Sequence, residues 1–168
     1  MSKLYNVSSS PHVRSKLTTG IVMYDVILCL LPATVMGIWH FKLQALLVIA
    51  ASIVSAMLAE FVFDYIAHRE NTLRDGSAIV TGLLLALCLP AGVPIYIPCL
   101  GAAFAIIVAK NLFGGLGQNF MNPALAGRCF LLISFSGIVA NYAVDGYSSA
   151  TPLAQMAAGE TISITQMF

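Results

Sequence analysis

The chain has 168 residues, of which 59% are hydrophobic and only 9% charged, with a formal net charge of +1. Soluble domains carry roughly 25% charged residues, so this balance cannot cover a water-facing surface and points to an integral membrane protein in a lipid bilayer. The near-neutral charge excludes a nucleic-acid partner, which would need a basic surface.

Residues 1–20 are polar, carry Lys3, Arg14 and Lys16, and read as a cytoplasmic surface segment. They are not a cleaved signal peptide: the apolar run behind them is span-length and no small-residue cleavage site follows it. His12, after Ser10-Pro11, reads as a turn residue. The first membrane span is expected over 21–39, with Asp25 and Pro32 inside it and a kink expected as a result. Trp39, His40 and Phe41 form an interfacial end.

The second span covers 43–66, with Glu60 and Asp64 in its last turns and His68, Arg69 and Glu70 just beyond. A carboxylate within a span is a functional candidate. Asp25 and Asp64 lie near span ends and are expected to reach water. Glu60 lies about 9 Å from the inner end by helical rise, which makes it the candidate for an ion path.

The third span begins near Asp75. Only the 13 residues 77–89 are free of charge, about 20 Å of helix against a hydrocarbon core of about 30 Å. Residues 90–94 form a tight reversal into a fourth span, 95–109, containing Pro98 and Gly101. Two readings stay open: broken helices that line a site, or two modest helices that extend into the interface. Small residues recur at every fourth position: Ala51, Ser55, Ala59; Ala78, Gly82, Ala86; Gly101, Ala105, Ala109. That spacing lets helix backbones approach closely and is a packing feature. Cys29, Cys88, Cys99 and Cys129 sit singly in apolar runs and read as small buried hydrophobes, so no metal site is expected.

The loop 113–122 is glycine-rich. It has neither the spacing nor the Lys of a Walker motif, so nucleotide phosphate binding is not expected. Gly114, Gly115 and Gly117 let a backbone lie flat against a ring or another helix. Asn122-Pro123 reads as the cap and first residue of a fifth span, 123–140. With five spans and a cytoplasmic N-terminus, seven of the eight basic residues fall on or near the inside and only Lys42 outside, a strong positive-inside bias. The expected fold is therefore all-α: a single polytopic membrane domain, with spans within 21–142 and an extracytoplasmic loop over 143–168.

That loop holds D-G-Y-S-S-A-T-P-L, residues 145–153. Asp145-Gly146 is a turn signal. Pro152 pushes Thr151 into an extended conformation, which makes Thr151 an N-cap and Pro152 the first residue of a short helix. That helix is expected to run to about Ala158 and stop at Gly159. A hydroxyl at a helix N-terminus is a natural seat for a phosphate.

The same stretch resembles the S/T-x-A-T flavinylation motif of one family. It holds the B subunit of the Na+-translocating NADH:quinone oxidoreductase and the D subunit of the Rnf ion-translocating complex. D-G-S-A-I-V-T-G-L-L-L-A-L (75–87) and N-L-F-G-G-L-G-Q-N-F-M-N-P-A-L-A-G-R (111–128) are similar to the family as well. The resemblance implies FMN bonded through its phosphate to the Thr151 hydroxyl; Ser148 and Ser149 read either as hydrogen-bond donors to that phosphate or as ordinary turn residues. It adds flavin or quinone contact at Gly114, Gly115 and Gly117 to the reading of a structural turn, and a second, non-covalent riboflavin at no assigned place. The implied partners are the other subunits of the complex, including a second FMN-bearing subunit, and an extracytoplasmic flavin transferase.

The implied function is that of an electron-carrying subunit, inactive alone. It would serve a complex that couples electron flow between ferredoxin and NAD to Na+ or H+ movement across the cell membrane. The short N-terminal stretch is closer to the Rnf subunit. The B subunit of the quinone reductase is the alternative, and a non-redox membrane scaffold or transporter half is a third reading. Relatives run to about twice this length, so the chain looks like the first half of the family architecture.

Overall fold

The computed structural model describes residues 18–69 and 72–140, together with the backbone of two short strands at 142–144 and 147–149. One helical run, Thr19–Ile66, opens the fold. Lys42 breaks it with φ 52 and ψ −130, giving α1 over 19–41 and α2 over 43–66. A non-glycine residue at positive φ costs on the order of 1–3 kcal/mol and persists where its surroundings impose it. Here the break turns the chain back on itself. Tyr24 and Met23, early in α1, lie beside Gly76, which follows α2. Gly37 and Phe41, late in α1, share a cavity with Ala86, Leu89 and Pro90. The kink expected near Pro32 is not the one that matters: dihedrals there remain helical, and the chain reverses at Lys42.

A 3-10 turn, Leu73–Asp75, leads into α3, Ser77–Leu87. α4, Tyr96–Phe104, continues directly into a π-helical segment, Ala105–Asn111. α5, Pro123–Ser134, and the single turn α6, Ser136–Val139, complete the bundle. The sequence does place the start of α5: the Asn122 side chain accepts a hydrogen bond of 3.0 Å from the Ala124 amide, with Pro123 at the first helical position. Phe135 then breaks the expected continuous fifth span. The bundle itself is helical throughout, as expected, and a small hairpin follows it. Its strands β1, Tyr142–Val144, and β2, Tyr147–Ser149, pair antiparallel with Val144 opposite Tyr147. Asp145-Gly146, the expected turn, lies outside the described residues. The expected helix from Pro152 lies outside the described residues.

Among the described residues, only the run Thr19–Ile66 is long and apolar enough to cross a membrane; Ser77–Leu87, Tyr96–Asn111 and Pro123–Ser134 are shorter apolar helices. α1 exposes most of its large apolar side chains, with Met36 68% and Trp39 82% accessible. α2, α3, α4 and α5 bury a common core that includes Val48, Leu83, Leu85, Ile97, Ile106 and Leu131.

Close backbone approach builds that core, as the small-residue spacing predicts. A Cβ on Gly82 would sit 2.9 Å from the Cα of Ile53 and 3.0 Å from the Ser52 carbonyl. The Ser52 hydroxyl donates to the Gly82 carbonyl at 2.8 Å, and Ser55 donates to the Cys99 carbonyl at 2.9 Å. Gly127 on α5, which stands outside the fourfold spacing, packs in the same way; its Cβ would lie 2.7 Å from the Gly101 carbonyl. The cysteines correct an expectation: Cys29 and Cys129 are exposed, and Cys88 and Cys99 only half-buried.

Gly82→Val is expected to force α2 and α3 apart. Its cost is about 1–3 kcal/mol or more, since the blocking atoms are backbone. Gly37→Ala, which meets nothing within 4 Å, should be neutral or slightly stabilising. Reversible unfolding in mixed micelles of mild and denaturing detergent separates the two outcomes.

Candidate functional site

The end of α2, the start of α3 and the end of the π-helical segment meet around a cluster of charged and polar side chains. Glu60 is fully buried, Asp64 is 5% exposed and Lys110 2%. The Lys110 ammonium contacts Glu60 Oε1 at 2.5 Å and donates to Ser77 Oγ at 2.7 Å. Thr72 holds the two acids together. Its hydroxyl lies 2.5 Å from Glu60 Oε1 and 3.0 Å from Asp64 Oδ2, and its amide donates to Asp64 Oδ2 at 3.0 Å. A hydroxyl has one proton, so Thr72 can donate to only one of these carboxylates at a time.

Each side chain reaches the cluster for a local reason. Glu60 and Asp64 are four residues apart and share one face of α2. Thr72 closes the short connection after α2, and Ser77 is the first residue of α3. Lys110 and Asn111 are the last residues of the π-helical segment. The wider turn of a π segment rotates them relative to an α-helical register, and such segments are frequent at functional sites.

A cavity of about 380 Å³ adjoins the cluster, lined by Asp64, Thr72, Ser77, Lys110, Asn111 and the glycine loop. Gly114 and Gly115 have φ of 117° and 98°, a region closed to most other residues. Their amides bond back to the Asn111 and Lys110 carbonyls at 3.2 and 3.1 Å. The two glycines thus close the end of the π segment and form one wall of the cavity. Gly117 lies farther along the loop, its amide held by the Asn119 side chain at 3.2 Å.

The structure therefore brings Glu60 into one cluster with Lys110 and places Gly114 and Gly115 at the adjoining cavity. Asp64 is a correction: its place near a span end predicts contact with water, but Thr72 draws it inward and it is buried. In the sequence Lys110 counts only toward the basic bias, and nothing there marks Thr72, Ser77 or Asn111 as site residues. The available signal is that Glu60 lies within an apolar run and needs a partner there, while Lys110 directly follows the run 95–109. Ser148 and Ser149 lie on β2, and Thr151 lies outside the described residues. α5 runs away from the glycine loop, and Phe135 at its far end packs edge-on against Tyr96 at the start of α4, with centroids 6.4 Å apart. The chain leading to Ser148 and Ser149 thus leaves the bundle at the end opposite Glu60. Among the described residues, no three His, Cys, Asp or Glu side chains gather in a way that could hold a metal ion.

Removing one partner of a buried pair leaves an uncompensated charge, at a cost of about 3–5 kcal/mol. Lys110→Met should therefore destabilise the bundle by that order in sodium-free buffer. The double variant Glu60→Gln/Lys110→Met should recover most of the loss. A double-mutant cycle on detergent unfolding measures the coupling.

Comparison with known proteins adds the lineage. A model of the NQR2, RnfD, RnfE family matches residues 6–168. The D subunit of the Na+-translocating ferredoxin:NAD+ oxidoreductase complex of Acetobacterium woodii is 46% identical over 162 residues, covering 94% of this chain and 51% of the relative. The D subunit of the proton-translocating ferredoxin:NAD+ oxidoreductase complex of Clostridium ljungdahlii is 40% identical over 156 residues, 89% of this chain and 47% of the relative. The D subunit of an ion-translocating oxidoreductase complex from Psychromonas ingrahamii is 43% identical over 133 residues, 78% of this chain and 38% of the relative. The chain spans about half the length, or less, of these relatives. With the family pattern running through nearly every residue and an apolar helical bundle to match it, the chain belongs to the NQR2, RnfD, RnfE family of membrane proteins.

Proposed function

We propose that this chain is the membrane electron-transfer subunit of an Rnf-type ferredoxin:NAD+ oxidoreductase complex, with FMN bonded to Thr151 and electron flow coupled to Na+ or H+ translocation. The observation that carries this reading is the match to the D subunits of two such complexes across 89–94% of the chain. Those two complexes are named for different ions, so the family match leaves the ion open.

The donor set fits a flavin phosphate in its chemistry. Ser148, Ser149 and Thr151 put three hydroxyls within four residues, one for the phosphoester and two for hydrogen bonds. Bound there, FMN supplies a centre that accepts one or two electrons, which side chains cannot do. The chain's part is to supply the Thr151 oxygen and to hold the phosphate, which leaves the ring free. Gly114 and Gly115 lie at the cavity beside Lys110, at the opposite end from the hairpin. Any flavin or quinone contact they make belongs to a separate site, and the second, non-covalent riboflavin is given no place. The partners on this reading are the remaining subunits, a second FMN-bearing subunit among them.

Topology on this reading rests on the basic bias. Five crossings with the N-terminus in the cytoplasm put the Glu60–Lys110 cluster near the inner face and the hairpin outside. FMN would then be attached after insertion by an extracytoplasmic transferase. Glu60, buried near the inner end, is the proposed ion-path residue. The B subunit of a Na+-translocating NADH:quinone oxidoreductase is the second reading, supported by the shared family; a quinone requirement in the purified complex would favour it. A scaffold without flavin is the third.

Three measurements test this. After denaturing electrophoresis the wild-type band should fluoresce as a flavoprotein, and Thr151→Val should insert at normal abundance yet be dark, with electron transfer nearly abolished. Losing the N-cap costs only about 0.5–2 kcal/mol, which is too little to unmake the bundle. Undiminished fluorescence in Thr151→Val would sink the assignment. Ser149→Cys should react with an impermeant thiol reagent in intact cells; labelling only after membranes are opened reverses the orientation. Glu60→Gln should lower ion pumping and its cation dependence, and unchanged pumping removes Glu60 from the path.

A further inference from the structure

α5 carries a charge that the rest of the bundle leaves unanswered. Arg128 is the only charged residue between Lys110 and Asp145, so no neighbour along its own helix can pair with it. Its Nε is buried without a hydrogen-bond partner, and no ion pair reaches it among the described residues. A carboxylate or an ammonium in apolar surroundings can shed its charge, but a guanidinium keeps it. On a membrane helix such a group is costly until an anion meets it.

The two faces of α5 show what kind of anion fits. Its small residues turn inward: Ala124, Ala126 and Gly127 are buried, and a Cβ on Gly127 would meet the Gly101 carbonyl at 2.7 Å. The outward stripe is apolar and without Gly or Ala. Leu125, Cys129 and Ile133, each four residues from the next, are exposed, Ile133 to 85%. Helices that pack together in lipid meet through small residues, so this stripe suits acyl chains rather than a second helix. Arg128 borders the stripe, three residues after Leu125. It lies about 7.5 Å along the axis from Pro123, and side chains on a helix lean toward its N-terminus. The long stem therefore carries the guanidinium back toward the start of α5, the level of the lipid headgroups. Phe120 and Met121, just before the helix, are exposed at that level too.

We propose that Arg128 and the stripe Leu125, Cys129 and Ile133 form a binding site for one anionic phospholipid, in the leaflet at the start of α5. The lipid phosphate accepts hydrogen bonds from the guanidinium fork, Nε among the donors, and an acyl chain lies along the stripe. The basic bias makes this the cytoplasmic leaflet, whose surface is negatively charged. One lipid thus neutralises the charge on α5 and covers its outward face. The site uses neither the Glu60–Lys110 pair nor Thr151, so it stands apart from the ion-path and flavin readings.

The test uses the complex purified from its native membranes with its accompanying subunits and stripped of lipid in mild detergent. Phosphatidylglycerol is added, with phosphatidylcholine and inorganic phosphate as comparisons, and loss of this chain from solution on heating is followed by immunoblot. Phosphatidylglycerol should raise the midpoint saturably, and the other two should not. Arg128→Gln should abolish that increment. Lys42→Gln removes the same charge at the opposite end of the bundle and should keep it. Arg128→Lys keeps the charge but loses the fork, and should raise the half-saturating lipid concentration about fivefold or more; where Arg128→Gln does not assemble, this variant decides. The proposal is overturned if phosphatidylcholine or inorganic phosphate protects equally, if either Arg128 variant keeps the wild-type response, or if Lys42→Gln loses it. It is overturned as well if phosphatidylglycerol has no effect and Arg128→Gln sheds a subunit, which would assign Arg128 to a partner's carboxylate.

Discussion

A charged carboxylate deep in an apolar bundle needs a counter-charge, and the pairing of Glu60 with Lys110 organises the end of the bundle where α2 closes and α3 begins. The ion pair joins α2 to the π-helical segment that ends α4, across 50 residues of sequence. Thr72 and Ser77 attach to the same two groups and so tie the connection after α2 and the start of α3 to them. Buried pairs of this kind contribute little net stability compared with apolar packing, but breaking one is costly. The cluster ties these elements together, because drawing Lys110 away from Glu60 leaves a buried charge alone.

That arrangement needs helices that approach without side chains between them. Lipid is as apolar as a leucine side chain, so contact among these helices depends on fit and on hydrogen bonds across the interface. Gly82 against Ser52, and Gly127 against Gly101, bring backbone to backbone. Ser52 and Ser55 then donate to carbonyls on the neighbouring helix. The same close approach carries the inner ends of α2, α3 and the π segment within reach of one another, so packing by small residues and burial of charge are one design. The exposed apolar face of α1 suits a helix that meets lipid.

The bundle separates the Glu60–Lys110 pair from the hairpin by its own length. The ion pair and the glycine loop lie at one end. The chain leaves at the other, through Phe135 against Tyr96, toward the hairpin. On the proposed reading, electrons are carried on one side of the membrane and the ion-path residue Glu60 lies near the other. Coupling between them has to pass through the helices, and the π-helical segment, whose hydrogen bonding differs from its surroundings, is the element on that line with the least regular geometry.

Much is legible in the residues alone. Membrane character, the boundaries near Lys42, the reversal at 90–94, the Asn122 cap and the small-residue faces follow from local rules of hydropathy, capping and spacing, which act over a few residues. The motif around Thr151 and two further stretches point to the family. Other features depend on atoms far apart in sequence. Asp64 turns inward because Thr72 reaches back to it. Lys110 becomes part of a site because a π segment rotates it onto Glu60. Sequence by itself thus determined that helices would form, where most would start and stop, and that Glu60 would be an exceptional residue. Only the tertiary structure decided which charge neutralises it, because pairing in a low-dielectric interior depends on distances between helices that no local pattern specifies.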